Sequence, residues 1–222
     1  SAASDVYKRQ VEEAVGDAPS TLHLILPEAR LGGENEAGEI AAIHDAMASY
    51  LKGDVFRALP RSMIYVRRTQ TDGRVRQGLV GMVDLERYDF TPGSKALIRA
   101  TEGTVLSRIP PRMAVRRGAP LELPHVMLLM DDPDRTVIEP LSAGEGMEPL
   151  YDFDLLQGGG HLRGSRLTEG QMEQVARALA RLRCDGGGSM LFAVGDGNHS
   201  LAAAKACYEE RKAAAPEGTV LP

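Results

Sequence analysis

Tryptophan is absent from the 222-residue chain, and aromatic residues make up only 5% of it. Aliphatic side chains must therefore fill most of the hydrophobic core. Cysteine is also scarce, because Cys184 and Cys207 are the only two. Their number and spacing provide neither a disulfide framework nor a metal-ligand motif. We expect both to be small core residues in a reducing compartment.

Positive charge is outweighed by negative charge. The chain has 26 Lys and Arg against 31 Asp and Glu, which gives a formal net charge of −5. This balance argues against a general nucleic-acid-binding protein, which needs a basic surface. No apolar run approaches the ~18 residues of a transmembrane helix, and no secretion signal opens the chain. We therefore expect a cytoplasmic protein whose partners include neither a membrane nor a nucleic acid.

The two ends of the chain have the character of a fragment. Residues 1–10 (SAASDVYKRQ) are typical of a non-native leader, and the chain stops abruptly soon after a predicted helix. We expect residues 11–222 to form a single α+β domain truncated at both ends, since the composition does not shift enough to define a second one.

Hydrophobic periodicity predicts a mixture of helices and strands. Helices are predicted over residues 36–51 and 198–212, and after a capping box formed by Thr168 and Gln171. Strands are predicted over residues 21–26, 62–68, 75–85, 96–100, 126–130, 151–156, 161–167 and 190–194, and the apolar run at 126–130 is expected to be buried. Pro110 and Pro111 are expected to break any regular element at their position. The Asp72-Gly73 turn and the triple glycine at 158–160 favour antiparallel neighbours. The expected fold class is therefore α+β, with a mixed, largely antiparallel sheet and packed helices.

The sharpest motif is Gly195-Asp196-Gly197-Asn198-His199-Ser200, which lies between a predicted strand and a predicted helix. The first N–H groups of a helix have no partner inside it, and the helix dipole favours negative charge there. These features predict a phosphate site, to which His199 would add a donor. Asp196 would hold a metal ion or a proton. The alternative is a connecting turn with Asn198 or Ser200 as an ordinary helix cap.

Two further segments carry candidate chemistry. In the first, Arg99 to Thr104, Glu102 follows an apolar strand and would serve as a general base. Its alternative is a solvated turn with an exposed ion pair. The second is the triple glycine before His161, which is interpreted either as a lid over a ligand or as a loose hairpin.

The segments Ile98–Arg112, Leu150–Gly164 and Leu191–Ala206 together resemble a bacterial family known as domain of unknown function 1015. That family is similar in its motifs to the ParB/sulfiredoxin superfamily and, within it, to the free serine kinases. The resemblance implies a ParB/sulfiredoxin-like element in the C-terminal half. It also implies transfer of phosphate from a nucleotide to the hydroxyl group of a free amino acid.

The resemblance also implies roles for individual residues. Glu102 matches the catalytic base, while Asp196, Gly197 and His199 match three positions of a phosphate-binding Asp-Gly-His-His-Arg motif. Asn198 and Ser200 replace the first His and the Arg of that motif, and Ala100-Thr101 stands where the kinases have Pro-His.

The resulting hypothesis is a nucleotide- or phosphate-binding protein that uses ATP or ADP with magnesium to phosphorylate a hydroxy amino acid. Glu102 and Asp196 are its catalytic candidates, and Asp196 is also the magnesium ligand. The phosphate-binding candidates are Gly195, Gly197, Asn198, His199 and Ser200, and the substrate-binding candidates are Arg99, Thr104 and His161. The alternative hypothesis is a non-catalytic nucleotide-binding switch of ParB-like type. The oligomeric state stays open.

Overall fold

The computed structural model describes residues 10–123, 125–185, 190–216 and 219. The Cα positions divide the chain into two compact units. The first unit comprises Ser1–Ala58, Glu102–Met127 and Gly195–Pro222, and the second comprises Leu59–Thr101 and Leu128–Val194. Residues 1–9 of the predicted leader lie outside the described residues. The expected single domain over residues 11–222 stays a prediction.

The described residues contain both helices and strands in substantial number. The α-helices are α1 (10–15), α2 (Glu36–Lys52), α3 (Ile109–Arg116), α4 (Glu169–Asp185) and α5 (Asn198–Ala214). The strands are β1 (Ile64–Thr69), β2 (Val75–Val80), β3 (Tyr88–Asp89), β4 (Ile98–Ala100), β5 (Met127–Leu129), β6 (Glu148–Asp154), β7 (His161–Arg166) and β8 (Phe192–Asp196).

The first sheet lies in the second unit, and its strands follow the order β2-β1-β7-β6. All three of its pairings are antiparallel. The predicted Asp-Gly hairpin joins β1 to β2, and Gly73 adopts the positive φ of 81° that such a turn needs. Side chains of this sheet and of α4 contribute to one core cluster, which includes Tyr65, Leu167 and Val175.

Helix α4 begins with the predicted capping box. The backbone N–H of Gln171 donates to the Thr168 hydroxyl over 3.3 Å. In return, the backbone N–H of Thr168 donates to the Gln171 side-chain oxygen over 2.9 Å. Two N–H groups at the helix start are thereby satisfied, which confirms the sequence-based prediction.

The second sheet has the strand order β3-β4-β8-β5. Here β4 runs parallel to both β3 and β8, and Ala100 lies opposite Val194. The Thr101 hydroxyl extends this pairing by donating to the carbonyl oxygen of Val194 over 2.7 Å. Of the pairings whose register the structure describes, three are antiparallel and two are parallel, which confirms an α+β fold with mixed, largely antiparallel strands.

The first unit is built mainly of helices. Leu24, Ile43 and Met47 form one of its core clusters. Helix α3 contacts α5, and Arg117 pairs with Glu210 on α5 over 2.6 Å. Cys207 on α5 is a buried free thiol, as expected of a small core residue.

Three local predictions were wrong. Residues 21–26 were predicted as a strand, but Thr21–Leu24 is a 3-10 helix whose N–H at Leu22 donates to the Ser20 hydroxyl. Pro110 and Pro111 were expected to break regular structure, yet they lie in the first turn of α3, where a missing N–H costs nothing. Strand β5 was expected to be buried, but Met127 is 38% exposed and Leu129 is 53% exposed.

Candidate functional site: an uncapped helix start beside Glu102

Helix α5 begins without a side-chain cap. The residue that precedes it, Gly197, has a left-handed backbone (φ 82°, ψ 23°), and in the described part of the chain no side chain caps the first turn. The N–H of Leu201 bonds to the Gly197 carbonyl oxygen. The N–H groups of Asn198, His199 and Ser200 have no acceptor among the residues that the structure describes. Three amide donors are therefore available for a ligand.

Position 197 has room only for glycine, because its Cα lies against the backbone of residues 125–126. A Cβ at this position would lie 2.5 Å from the carbonyl oxygen of His125 and 3.0 Å from the Cα of Val126. The positive φ separately disfavours any residue with a side chain. The space beside Gly197 is thus occupied by the 125–126 backbone. Contacts to an anion would come from the three N–H groups that follow.

The two motifs singled out in the sequence meet at this point. The side-chain NH₂ of Asn198 donates to the Glu102 carboxylate over 3.2 Å, although the residues are 96 positions apart. A carboxylate only accepts hydrogen bonds, which determines the orientation of the Asn198 amide. Asn198 is only 5% exposed, and its buried Oδ1 atom has no hydrogen-bond partner among the described residues. An unpaired buried acceptor of this kind needs an explanation, and a ligand donor would provide one.

His199 is held as a neutral imidazole. The backbone N–H of Val105 donates to its Nε2 atom over 3.1 Å, so that this nitrogen carries no proton. Burial lowers the pKa of His199, and the positive charges of Arg112 and Arg108 lower it further. Its proton therefore lies on Nδ1, and His199 can serve as a neutral donor to an anion.

Two arginines bring positive charge to this part of the first unit. Arg112 is 17% exposed in its side chain and forms an ion pair with Glu28. Arg108 forms no ion pair within the described part of the chain, and both arginines act electrostatically on His199. Thr104, two residues after Glu102, has a buried hydroxyl that finds no hydrogen-bond partner within the described ranges. The ion pair with Glu28 and the backbone contact of Val105 were missed at the level of sequence, since neither has a motif.

Asp196 and Gly195 are exposed, and Ser200 is half-buried. The Asp196 carboxylate accepts the N–H of Gly197 over 2.8 Å. No group of three or more metal-ligating side chains occurs among the described residues. One carboxylate together with phosphate oxygens and water is a sufficient set for Mg²⁺, which rarely uses an all-protein cage. Asp196 therefore fits a magnesium ion that a nucleotide brings with it.

Two substrate-binding candidates, Arg99 and His161, belong to the second unit. Arg99 donates to the carbonyl oxygen of Ser94 over 3.1 Å, and its buried Nε has no partner in the part of the chain that the structure describes. His161 lies between two carboxylates, with Nδ1 2.7 Å from Asp154 and Nε2 2.5 Å from Asp152. Their role in substrate binding stays a prediction.

The triple glycine before His161 forms the turn of the β6–β7 hairpin. The Leu155 N–H donates to the carbonyl oxygen of Gly160 over 2.8 Å. Gly160 has a φ of 98°, and a Cβ on it would overlap the carbonyl group of Thr69. This close contact with the end of β1 agrees with the hairpin interpretation of the segment.

No helix in the described ranges is long and apolar enough to cross a membrane.

Together, the fold and the geometry define an α+β protein with a candidate anion site at the start of its last helix. A family model described as a protein of unknown function, DUF1015, matches residues 5–220. The chain therefore belongs to the DUF1015 family. No curated protein and no solved structure matches it.

Proposed function

We propose that the chain binds a nucleotide or another phosphorylated small molecule at the start of α5, and that it is a small-molecule kinase. The donor would be ATP or ADP, and the acceptor a hydroxy amino acid. The observation that carries the proposal is the set of unpaired polar groups at one point of the first unit. Among the described residues, the N–H groups of residues 198–200 lack acceptors and the buried Thr104 hydroxyl lacks a partner. The buried Asn198 Oδ1 also lacks one there, and because it can only accept, it would receive a donor of the amino acid and not a phosphate oxygen.

The proposed phosphate contacts follow from the local geometry. The three N–H groups would donate to phosphate oxygens, assisted by the helix dipole. His199 would add its Nδ1–H, because Val105 already occupies the other ring nitrogen. Arg108, which forms no ion pair among the described residues, would offset part of the negative charge. Asp196 would hold Mg²⁺ together with the phosphates, which supplies charge neutralisation.

The proposed chemistry is an in-line phosphoryl transfer. Glu102 would accept the proton of the acceptor hydroxyl as the hydroxyl oxygen forms its bond to the terminal phosphorus. The bond from that phosphorus to the bridging oxygen breaks, and ADP or AMP leaves with the electron pair. Asn198 would orient Glu102 through the 3.2 Å hydrogen bond. Most of the rate acceleration would come from position and charge stabilisation.

The resemblance to ParB/sulfiredoxin-like proteins and free serine kinases supports these roles. It matches Glu102 to the kinase base and Asp196, Gly197 and His199 to the phosphate motif. The 3.2 Å contact between Asn198 and Glu102 agrees with this match, since the kinase roles require the two motifs to be close. We also propose a cytoplasmic location, where nucleotides are abundant and the buried Cys207 thiol would stay reduced.

A specific observation favours the non-catalytic switch as a second candidate. Ser200 stands where the kinase motif has an arginine, so that a bidentate phosphate contact is lost. Glu102 is also exposed and already accepts a hydrogen bond from Asn198. Nucleotide binding without turnover would then shift a conformational equilibrium.

Substitution of Ser200 tests the anion site directly. Ser200→Asp places a carboxylate in the first turn of α5, where it favours the helix and repels phosphate. Ser200→Asn has nearly the same shape without the charge. We expect the Asp variant to bind Mg-ATP and Mg-ADP at least about tenfold more weakly, because like charges ~4 Å apart cost more than the 1.4 kcal/mol of a tenfold change.

Isothermal titration calorimetry on the full chain would measure both affinities, and thermal unfolding would confirm that both variants fold. We expect the Asn variant to stay within about threefold of the wild type, since it adds no charge. Equal affinities for the two variants would refute the anion site.

Phosphoryl transfer is tested separately by incubating the chain with ATP or ADP, magnesium and a panel of hydroxy amino acids. Phosphorus NMR would identify the product, and Glu102→Gln should abolish its formation while nucleotide affinity is retained. Unchanged transfer by Glu102→Gln would remove Glu102 from the mechanism. Tight nucleotide binding by the wild type with no product for any acceptor would favour the switch.

A further inference from the structure

A cavity whose lining carries an excess of positive charge lies in the second unit. It has a volume of about 330 Å³ and lies beside the first sheet. Its lining residues are Tyr65, Arg67, Leu141, Ser142, Gly144, Gly146, Met147, Pro149, Arg163 and Ser165. Two of these carry a positive charge and none carries a negative one, although the whole chain has a net charge of −5.

The two charges come from directly opposed residues on neighbouring strands. Arg67 on β1 and Arg163 on β7 are Cα partners in the antiparallel register. Cβ atoms of such pairs are about 4.5–5.5 Å apart, and like charges in this position repel each other. A single oxyanion can reach two guanidinium groups at that separation and would relieve the repulsion.

The carboxylates of the described residues neutralise the charges of Arg67 and Arg163 only in part. Arg67 has no ion pair or hydrogen bond among the described residues. The Nε of Arg163 is 3.7 Å from Asp152, whose carboxylate also bonds to His161. A larger neighbouring cavity of about 390 Å³ shows the contrast, because its lining balances Arg61 and Arg166 with two glutamates.

Neutral donors complete the cationic cavity. Ser165 is only 9% exposed, and its hydroxyl has no hydrogen-bond partner in the part of the chain that the structure describes. Ser142 presents a second hydroxyl, while Leu141, Met147 and Pro149 provide an apolar wall. Such a combination of a few polar groups with apolar surface is typical of small-molecule sites.

We propose that this cavity binds the oxyanion group of a small organic molecule between Arg67 and Arg163. The Ser165 hydroxyl donates to the same group, and the apolar part of the ligand lies against Leu141 and Met147. The oxyanion is a carboxylate or a phosphate monoester, since each presents two oxygens that a guanidinium can bind in a bidentate way. The site is separate from the α5 anion site and does not depend on the proposed kinase function.

The test uses two probes with the same apolar ring, benzoate and phenyl phosphate. Each is titrated into the ¹⁵N-labelled full chain, and amide shifts on β1 and β7 report local binding. We expect at least one probe to saturate these shifts below about 10 mM, because a Kd of 1 mM corresponds to only 4.1 kcal/mol. Saturation by phenyl phosphate alone identifies a phosphate ester ligand, and saturation by benzoate alone a carboxylate.

Arg68 provides a matched control for Arg67. It is the next residue on β1, lies on the other face of the sheet, and is directly opposed to another arginine, Arg76 on β2. Arg67→Gln and Arg68→Gln each remove one charge from such a pair, but only Arg67 lines the cavity. We expect Arg67→Gln to weaken binding at least about tenfold and Arg68→Gln by less than about twofold, the limit expected from a general loss of charge.

Two results would overturn the proposal. The first is the absence of shifts on β1 and β7 with either probe. The second is an equal loss of affinity in Arg67→Gln and Arg68→Gln, which would indicate general electrostatic attraction. Ser200→Asp should leave this binding unchanged, so that failure of the α5 anion site and failure of this cavity are distinguished.

Discussion

Replacement of Gly197 by alanine is the most direct test of how the start of α5 is built. Two physical effects act together at this position. A left-handed backbone costs a residue with a side chain about 1–2 kcal/mol. The new Cβ would also lie 2.5 Å from the His125 carbonyl oxygen, so that backbone must move.

The size of the effect follows from these two terms. Overpacking a well-filled site costs about 1–3 kcal/mol. We therefore expect Gly197→Ala to lower the free energy of unfolding by about 2–5 kcal/mol, a large share of the 5–15 kcal/mol typical of a domain. With a urea m-value of about 2 kcal/mol per molar, the unfolding midpoint would fall by about 1–2.5 M.

Gly118 provides the matched control within the same unit. Its φ of 74° is close to that of Gly197, but no atom lies within 4 Å of the position its Cβ would take. Gly118→Ala should therefore cost only the backbone term of about 1–2 kcal/mol. Urea denaturation followed by circular dichroism measures both variants. Equal losses in the two variants would show that the 125–126 backbone does not contact Gly197 as described.

Three further predictions concern Gly164, His161 and His199. Gly164→Ala should destabilise the first sheet by about 1–3 kcal/mol, because its Cβ would overlap the Tyr151 ring; a urea midpoint within error of wild type would contradict this. The pKa of His161 is raised mainly by its hydrogen bond to Asp154 and further by its hydrogen bond to Asp152. Its stabilising contribution should be complete below about pH 6.5 and lost as pH rises through the folded-state value, a dependence that His161→Gln should abolish. Burial lowers the pKa of His199. The free energy of unfolding should therefore decrease as pH falls from about 6.5 through the folded-state pKa. An NMR titration of the His199 imidazole that gives a pKa at or above the usual value would refute this.

Local sequence signals predicted the elements that depend on their own residues. The Thr168–Gln171 capping box, the Asp72-Gly73 hairpin and the helix from Asn198 all carry their physical cause within a few positions. The same reasoning failed at 21–26, where an apolar run without a neighbouring strand folds as a 3-10 helix around the Ser20 cap. It also failed at Pro110, because a break and a helix start have the same local composition.

The Gly195–Ser200 motif predicted a helix start with free N–H groups, and the N–H groups of residues 198–200 have no acceptor among the described residues. The phosphate site itself stays a prediction. The reason for Gly197 was not predictable, since it lies in a carbonyl group contributed by His125. The tautomer of His199 likewise depends on the Val105 N–H, a backbone group that leaves no trace in composition.

The α+β class and most of the helices and hairpins could be predicted from the sequence, which also singled out the candidate site residues. These properties depend on periodicity, turn residues and caps, which act over a few positions. Only the tertiary structure decided that Glu102 meets Asn198 and that Arg67 lies opposite Arg163. Both are contacts between residues 96 positions apart, and strand register and helix packing across such separations are set by the summed burial of many side chains.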